Sequence, residues 1–216
     1  MDLDTVDKLL TTTRSVRKRL DFGRPVPEAI IQECLEIAIQ APTGGNRQGW
    51  FFMVVTDRQK RTRIAELYKK SFAIYNAGRK IRADRGKAYV EQVHRVISSA
   101  EHLAENLARA PVFIMPCIES QVPHHEEHMV HASLYGSILP ATWSLMLALR
   151  ARGFGTAWTT LHLRYANEIA TIVGIPNGFT QVALLPVAYY KGDDFKPARR
   201  IPARDVTWWN TWGERR

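Results

Sequence analysis

Apolar side chains recur every three to four residues along several stretches of this chain, which is the spacing of helices with one buried face. One such stretch opens at Pro27 and Glu28, and proline and an acidic residue suit the first turn of a helix. Pro42 and the glycines that follow end it. The same spacing predicts further helices over residues 5–14, 60–70, 88–108, 134–150 and 165–173.

Four continuous apolar runs, rich in β-branched and aromatic residues, predict buried strands over residues 50–55, 111–118, 154–160 and 182–190. Helices and strands therefore alternate, which favours an α+β or α/β fold with a central sheet covered on both faces. The sequence shows no internal repeat, low-complexity stretch or linker. We therefore predict one domain over residues 1–216.

Composition and charge narrow the classes of protein that fit this pattern. Hydrophobic residues make up 45% of the 216 positions and charged residues 24%, which is ordinary for a globular protein. The formal net charge of +9 would suit a basic nucleic-acid-binding module, but no nucleic-acid-binding motif accompanies it. A positive field also suits small anionic cofactors, so we predict no nucleic-acid partner.

Three features of the sequence indicate a cytoplasmic protein without a membrane anchor. No apolar stretch reaches the roughly 20 residues of a membrane span, and the nearest, residues 134–149, contains Gly136 and Pro140. The chain begins with acidic residues where a signal peptide has basic ones. The two cysteines, Cys34 and Cys117, lie in apolar runs, which is typical of buried thiols in a reducing compartment.

The arginine segment, residues 14–17, is a candidate anion site. It reads Arg14, Ser15, Val16, Arg17. On a helical turn the two arginines would share a face, and with the serine hydroxyl they could surround a phosphate with charge-assisted hydrogen bonds. Taken alone, the pattern also fits a solvated basic helix end.

The glycine segment, residues 42–48, contains Pro42, Thr43, Gly44, Gly45, Asn46, Arg47 and Gln48. It has neither the Gly-Lys-Ser/Thr ending of a P-loop nor the G-x-G-x-x-G pattern of a dinucleotide fold. It offers backbone N–H groups and side-chain amides that could approach a flat polar ring. An ordinary helix-to-strand turn fits it as well.

Histidines near residue 125 invite a metal hypothesis. His124 and His128 are four residues apart, but His125 stands where a zincin has glutamate. A polar loop or the rim of a lid fits this stretch better, so we predict no metal site. Nucleophile patterns such as G-x-S-x-G are absent, and we predict no catalytic side chain.

Two further pairs of polar residues do not indicate a function when each pair is taken alone. Thr159 and Thr160 close a predicted strand, where ligand contacts or a simple turn are both possible. Arg199 and Arg200 precede Ile201 and Pro202 and also fit a surface loop.

In their order along the chain, these segments resemble the FMN-dependent nitroreductase family. Residues 153–155, 174–176 and 184–189 extend the resemblance over nearly the whole sequence. It implies an α+β fold, a three-layer α/β/α sandwich in which helices flank a central, mostly antiparallel sheet. It also implies a homodimer with two FMN molecules in the subunit interface.

The same resemblance assigns contacts to the cofactor. Arg14, Ser15 and Arg17 are expected at the phosphate, ribityl chain and pyrimidine edge, and Arg199 and Arg200 at the phosphate. The glycine segment is expected to approach the flavin, often from the partner subunit. The full FMN-binding set is Arg14, Ser15, Val16, Arg17, Pro42, Thr43, Gly44, Asn46, Gln48, Thr159, Thr160, Arg199 and Arg200. Many relatives have arginine where this chain has Thr13, which leaves more of the phosphate to Arg14 and Arg200.

The activity implied is that of an oxidoreductase with a ping-pong mechanism. NADH or NADPH reduces FMN and leaves, and a small-molecule acceptor such as a nitroaromatic or quinone then takes the electrons. Flavin fragmentation or reductive dehalogenation on the same fold is the alternative, decided by residues 76–87 and 121–131. The tail, residues 203–216, carries Trp208, Trp209 and Trp212 and is expected to pack on the partner subunit.

Overall fold

A six-stranded sheet forms the centre of the larger of two units in this protein, Arg14–Gly192. The structure is a computed structural model and describes residues 1–82, 84, 86–120, 127–192 and 194–215. The strands are β1 (Leu20–Asp21), β2 (Trp50–Val55), β3 (Val112–Glu119), β4 (Phe154–Thr156), β5 (Phe179–Gln181) and β6 (Leu185–Tyr190). The order is β1-β6-β3-β2; β4 also pairs with β6 and β5 with β3, and every strand pair is antiparallel.

Among the described residues, five α-helices belong to the same unit: α2 (Glu28–Ala38), α3 (Arg58–Ala77), α4 (Lys87–Asn106), α5 (His128–Ala151) and α6 (Ala166–Val173). Local sequence explains several of their ends. The Asp57 carboxylate accepts a hydrogen bond of 2.7 Å from the backbone N–H of Lys60 and so caps α3. Gly174 takes the left-handed conformation that ends α6.

The core lies on both faces of β3. Val112 and Ile114 on one face are buried in the cluster that holds α2 and α5, through residues such as Ile138. Successive residues of a strand point to opposite faces, and Phe113 and Met115 on the other face are also fully buried. The sheet is therefore covered on both sides, and the predicted α+β fold with a mostly antiparallel sheet is confirmed.

Strand β2 differs in one respect from the buried strand that the sequence predicts. Its bounds are as predicted, but within the described part of the chain it pairs only with β3 and lies at the edge of the sheet. Five of its six residues are not fully buried, and Phe51 is 48% exposed. Its apolar run therefore reflects an edge strand with a partly open face.

Other elements differ in length from their predictions. Helix α3 runs on to Ala77, and α5 begins at His128, six residues before the predicted start. Strand β4 ends at Thr156 instead of residue 160. Strands β1 and β5, with two and three residues, were not predicted.

Helix α5 is long and apolar enough to cross a membrane by length and composition alone. Half of its most apolar window is buried inside the fold. This is the pattern of a core helix, and α5 indeed supplies Leu145 and Leu149 to the main core.

The smaller unit consists of Met1–Thr13 and Asp193–Arg216. It contains helix α1 (Leu3–Thr12) and a 3₁₀ turn at Ala203–Val206. Lys8 and Asp194 form an ion pair of 2.9 Å, and the rings of Trp208 and Trp212 stack with centroids 4.1 Å apart. The single domain over residues 1–216 stays a prediction.

Candidate functional site

The arginine segment lies along strand β4. The backbone N–H of Val16 donates a hydrogen bond of 2.7 Å to the carbonyl of Thr156, and Ser15 pairs with Thr156 in a parallel bridge. Val16 is buried, Arg17 is half-buried, and Arg14 and Ser15 are exposed. The segment is therefore extended, and the prediction that Arg14 and Arg17 share the face of a helical turn was wrong.

A glycine makes this close approach possible. A Cβ added to Gly155 would lie 2.9 Å from Cγ1 of Val16 and 3.0 Å from Cδ2 of Leu20. Only a residue without a side chain lets the arginine segment pack so near β4. Val16 thus anchors the segment, while the side chains around it supply two guanidinium groups and a hydroxyl.

Tyr68 of helix α3 connects the arginine segment with the threonine pair. The Tyr68 side chain is 3% exposed and hydrogen-bonds to that of Thr159, and the Arg17 charge acts on its hydroxyl. Burial raises the pKa of Tyr68, and the Arg17 charge opposes this rise. Burial lowers the pKa of Arg17, and the electrostatic interaction with Tyr68 opposes that change.

The two threonines have different surroundings. Thr159 is buried, exchanges two backbone hydrogen bonds with Leu184, and donates its hydroxyl to the Leu184 carbonyl at 2.9 Å. Thr160 is exposed at the start of the 3₁₀ helix Leu161–Tyr165.

The glycine segment forms a tight turn at the first turns of α5. The Gly44 N–H donates to Oγ of Ser137 at 3.0 Å. Gly45, Asn46 and Gln48 have φ values of 59°, 52° and 51°, in the left-handed region that most side chains avoid. The Gln48 N–H donates to Oγ1 of Thr43 at 3.1 Å, and its side-chain amide donates to Oδ1 of Asn46 at 3.2 Å. These bonds hold the strained turn, and such strain concentrates at functional sites.

A cavity of about 440 Å³ opens beside this turn. Its wall includes the hydroxyl groups of Thr43, Ser133 and Ser137 and the opposite charges of Arg47 and Glu119. No residue of the arginine segment is among the described residues that line it. Within the larger unit, the arginine segment with Thr159 and the glycine segment thus form two separate surfaces.

The remaining predicted residues lie elsewhere or outside the described chain. Arg199 and Arg200 are exposed residues of the smaller unit. His124 and His125 fall outside the described residues. In the part of the chain that the structure describes, no three His, Cys, Asp or Glu side chains group as metal ligands.

Sequence reasoning missed Tyr68 and His162. Tyr68 follows Ile64 and Ala65 at helical spacing, so it is indistinguishable from an ordinary core residue in the sequence. His162 is fully buried, and neither ring nitrogen has a hydrogen-bond partner among the described residues. Its burial lowers the pKa to about 3, so the imidazole is neutral.

The chain is similar to several known proteins. The chain is 26% identical over 210 residues to an NADH dehydrogenase of Thermus thermophilus, covering 91% of each. It is 29% identical over 185 residues to iodotyrosine deiodinase 1 of Rattus norvegicus, covering 84% of this chain and 61% of that protein.

Among solved structures, oxidized iodotyrosine deiodinase bound to FMN and 3-iodo-L-tyrosine superposes with a TM-score of 0.72 at 21% identity, covering 98% and 100% of the two chains. An FMN-dependent nitroreductase from Mycobacterium smegmatis in complex with NADPH gives a TM-score of 0.68 at 20% identity, covering 97% and 100%. At these identities the likeness establishes the fold alone. The model of the Nitroreductase family matches residues 10–189, most of the sequence, and the chain therefore belongs to that family.

Proposed function

We propose that this protein is an FMN-dependent oxidoreductase that uses NADH or NADPH to reduce a small-molecule acceptor, such as a nitroaromatic or a quinone. One observation carries the proposal. Arg17, Tyr68 and Thr159 form a connected cluster at β4, and Arg17 has no carboxylate partner among the described residues. A half-buried guanidinium without a counter-charge is suited to an anionic ligand.

The chemistry of the two surfaces suits the parts of FMN. Arg14, Ser15 and Arg17 would meet the phosphate, the ribityl chain and the pyrimidine edge through charge-assisted hydrogen bonds, and the Val16 backbone holds the segment in place. Arg199 and Arg200 are proposed as further phosphate ligands. Thr160 and the Thr159 backbone would lie beside the ring.

The glycine segment would approach the same ring. Pro42, Thr43 and Gly44 bring the backbone close, and Asn46 and Gln48 present amides that already hold each other in position. Because the two surfaces are separate within one chain, we propose that the glycine segment of one subunit completes the site of the other. FMN then lies in the interface of a homodimer.

Exposed apolar side chains support this assembly. On α5, Met129 is 70% exposed, Trp143 39% and Tyr135 37%. In the tail, Trp212 is 83% exposed and Trp209 46%. Large exposed apolar side chains mark contact surfaces, and a second copy of the chain is the partner that the two half-sites require.

Bound FMN supplies the hydride and electron transfer, so the protein needs only to bind, orient and tune it. Arg17 remains charged, because arginine stays protonated even when burial lowers its pKa. With FMN bound, the charge of Arg17 would stabilise negative charge on the reduced flavin. The nicotinamide and the acceptor would use the open cavity in turn.

We place this chemistry in the cytoplasm, with no nucleic-acid or membrane partner.

Reductive dehalogenation is the second candidate, since deiodinases are among the relatives and the structural neighbours. An anaerobic titration separates the two. We expect NADPH or NADH to bleach the flavin absorbance of FMN-loaded protein, and a nitroaromatic or quinone to restore it without loss of FMN. Absence of bleaching would contradict the proposal. If only 3-iodo-L-tyrosine restores the flavin absorbance, and iodide is released, the result would favour dehalogenation. Loss of FMN would favour flavin fragmentation.

A further inference from the structure

A second, basic groove lies between the end of α3 and the first half of α4. Its volume is about 260 Å³, and its wall consists of Arg79, Lys80, Tyr89, Gln92, Val93 and Val96. The FMN-binding set and the 440 Å³ cavity share no described residue with it.

The α3 side of this basic groove is cationic. Arg79 donates to the Tyr75 hydroxyl at 2.9 Å and lies 5.0 Å from its ring centroid, so the guanidinium is held in place. The nearby carboxylate of Asp84 is already paired with Arg82 at 3.0 Å. Neither Arg79 nor Lys80 has an ion pair with a described carboxylate, which leaves two positive charges for an anion.

The α4 side has a different chemistry. Tyr89 offers a half-buried ring, Gln92 an exposed amide, and Val93 and Val96 an apolar floor of which Val96 is 44% exposed. An aromatic ring, an amide and an apolar floor together suit a flat heterocycle with hydrogen-bonding edges. The occupant of the groove should therefore carry both an aromatic base and a phosphate.

Helix α4 also links the basic groove to the arginine segment. The ammonium group of Lys18, next to Arg17, donates to Oγ of Ser98 at 2.8 Å. Ser98 and Tyr89 are nine residues apart on α4, which is about 14 Å along the helix axis. One elongated ligand could reach from the flavin region into the groove.

We propose that the basic groove binds the 2′-phosphorylated adenosine of NADPH. This rests on the proposed use of a nicotinamide coenzyme. Arg79 and Lys80 contact the 2′-phosphate, and the adenine lies against Tyr89. Because NADH lacks that phosphate, the groove makes the protein selective for NADPH.

The test is a calorimetric titration of FMN-loaded protein with adenosine 2′,5′-bisphosphate and with adenosine 5′-monophosphate at physiological salt. We expect the bisphosphate to bind at least about tenfold more tightly, the effect of one or two charge-assisted contacts. Lys80→Ala should remove most of that difference. Lys70→Ala, which removes an exposed charge of α3 outside the groove, should leave it unchanged.

Three results would overturn the proposal. The two nucleotides could bind equally well, or Lys70→Ala could reduce the preference for the bisphosphate as much as Lys80→Ala does. The third result is a short DNA duplex that binds more tightly than the bisphosphate, with a steep salt dependence. The titration requires no turnover, so it is separate from the proposed activity. An inactive protein that keeps the bisphosphate preference would refute the oxidoreductase alone. An active enzyme that binds both nucleotides equally would refute the groove alone.

Discussion

Tyr68 shows how a core position can serve a binding site. Its ring fills the interior beside α3, while its hydroxyl reaches Thr159 and lies in the field of Arg17. Arg17 itself has no ion pair with a described carboxylate. A residue of this kind positions the ligand-binding group and has no need to touch the ligand itself.

Replacement of Tyr68 by phenylalanine takes away its side-chain hydrogen bond with Thr159 and a polar group that lies in the field of Arg17. We expect Tyr68→Phe to cost about 1 kcal/mol of the free energy of unfolding, the usual value of one buried hydrogen bond, and to weaken FMN binding several-fold. Urea unfolding and a flavin fluorescence titration measure the two effects. Tyr165→Phe is the control. If it lowers stability and FMN affinity as much as Tyr68→Phe does, Tyr68 has no specific role in FMN binding.

His162 should make stability depend on pH. Its pKa is about 3 in the folded protein and near 6.5 when unfolded, so the unfolded chain takes up a proton first as the pH falls. The stability that the neutral His162 side chain contributes is fully present above about pH 6.5 and is lost as the pH falls from 6.5 to 3. From pH 7 to 5 we expect a loss of about 2 kcal/mol in the free energy of unfolding.

Denaturant unfolding at the two pH values tests this expectation. In His162→Leu, most of the decrease in the free energy of unfolding between pH 7 and pH 5 should disappear. The stability at pH 7 should change little, because no described hydrogen bond is broken. His94→Gln, at an exposed position of α4, should show the same decrease in the free energy of unfolding as the wild type. A His162→Leu variant that declines as steeply as the wild type would contradict this account.

At the scale of elements, the contact between the arginine segment and β4 decides the geometry of the site. Residues 15 and 156 are 141 positions apart, and no periodicity in the sequence reveals their pairing. The sequence predicts the long helices and the four principal strands because their apolar spacing is regular over many residues. Strands β1 and β5 are too short to show a period. The extended form of the arginine segment was missed for a different reason, because the contact with Thr156 sets it and that contact leaves no local signal in the sequence.

Gly155→Ala tests this packing. The added methyl group would clash with Val16 at 2.9 Å and should displace the arginine segment, which weakens FMN binding and lowers stability by 1–3 kcal/mol, about the usual cost of overpacking. Gly136→Ala is a matched control in α5, where an added Cβ meets no atom within 4 Å apart from the adjacent backbone of the helix itself. That change should stabilise the helix by up to about 1 kcal/mol. Equal FMN affinity in Gly155→Ala and the wild type, by fluorescence titration, would refute the role of this contact.

At the scale of the whole molecule, the two half-sites imply an assembly. The ordered set of segments was sufficient to predict the family and the fold, which the family match confirms. The sequence could not show that the arginine and glycine segments are separate surfaces of one chain. The hydrogen bond between Gly44 and Ser137 places the glycine segment at α5, and the hydrogen bond between Val16 and Thr156 places the arginine segment at β4.

The tail should contribute to the dimer. Removal of residues 205–216 takes away Trp208, Trp209 and Trp212, and we expect a weaker dimer by sedimentation analysis and faster loss of FMN. Removal of residues 215–216 alone keeps the three tryptophans and serves as the control. A protein that lacks residues 205–216 and stays a dimer of equal stability would place these side chains outside the interface.

The central claim is that this chain binds FMN through the arginine segment, and a fluorescence titration with FMN tests it most directly. We predict saturable quenching of the flavin emission at one FMN per chain. Arg17→Gln should bind about 10- to 100-fold more weakly, as expected for lost hydrogen bonds to a charged group, and Arg63→Gln, at an exposed position of α3, should match the wild type. Flavin emission that stays unchanged on addition of the wild-type protein, or equal affinity in Arg17→Gln, would contradict the account.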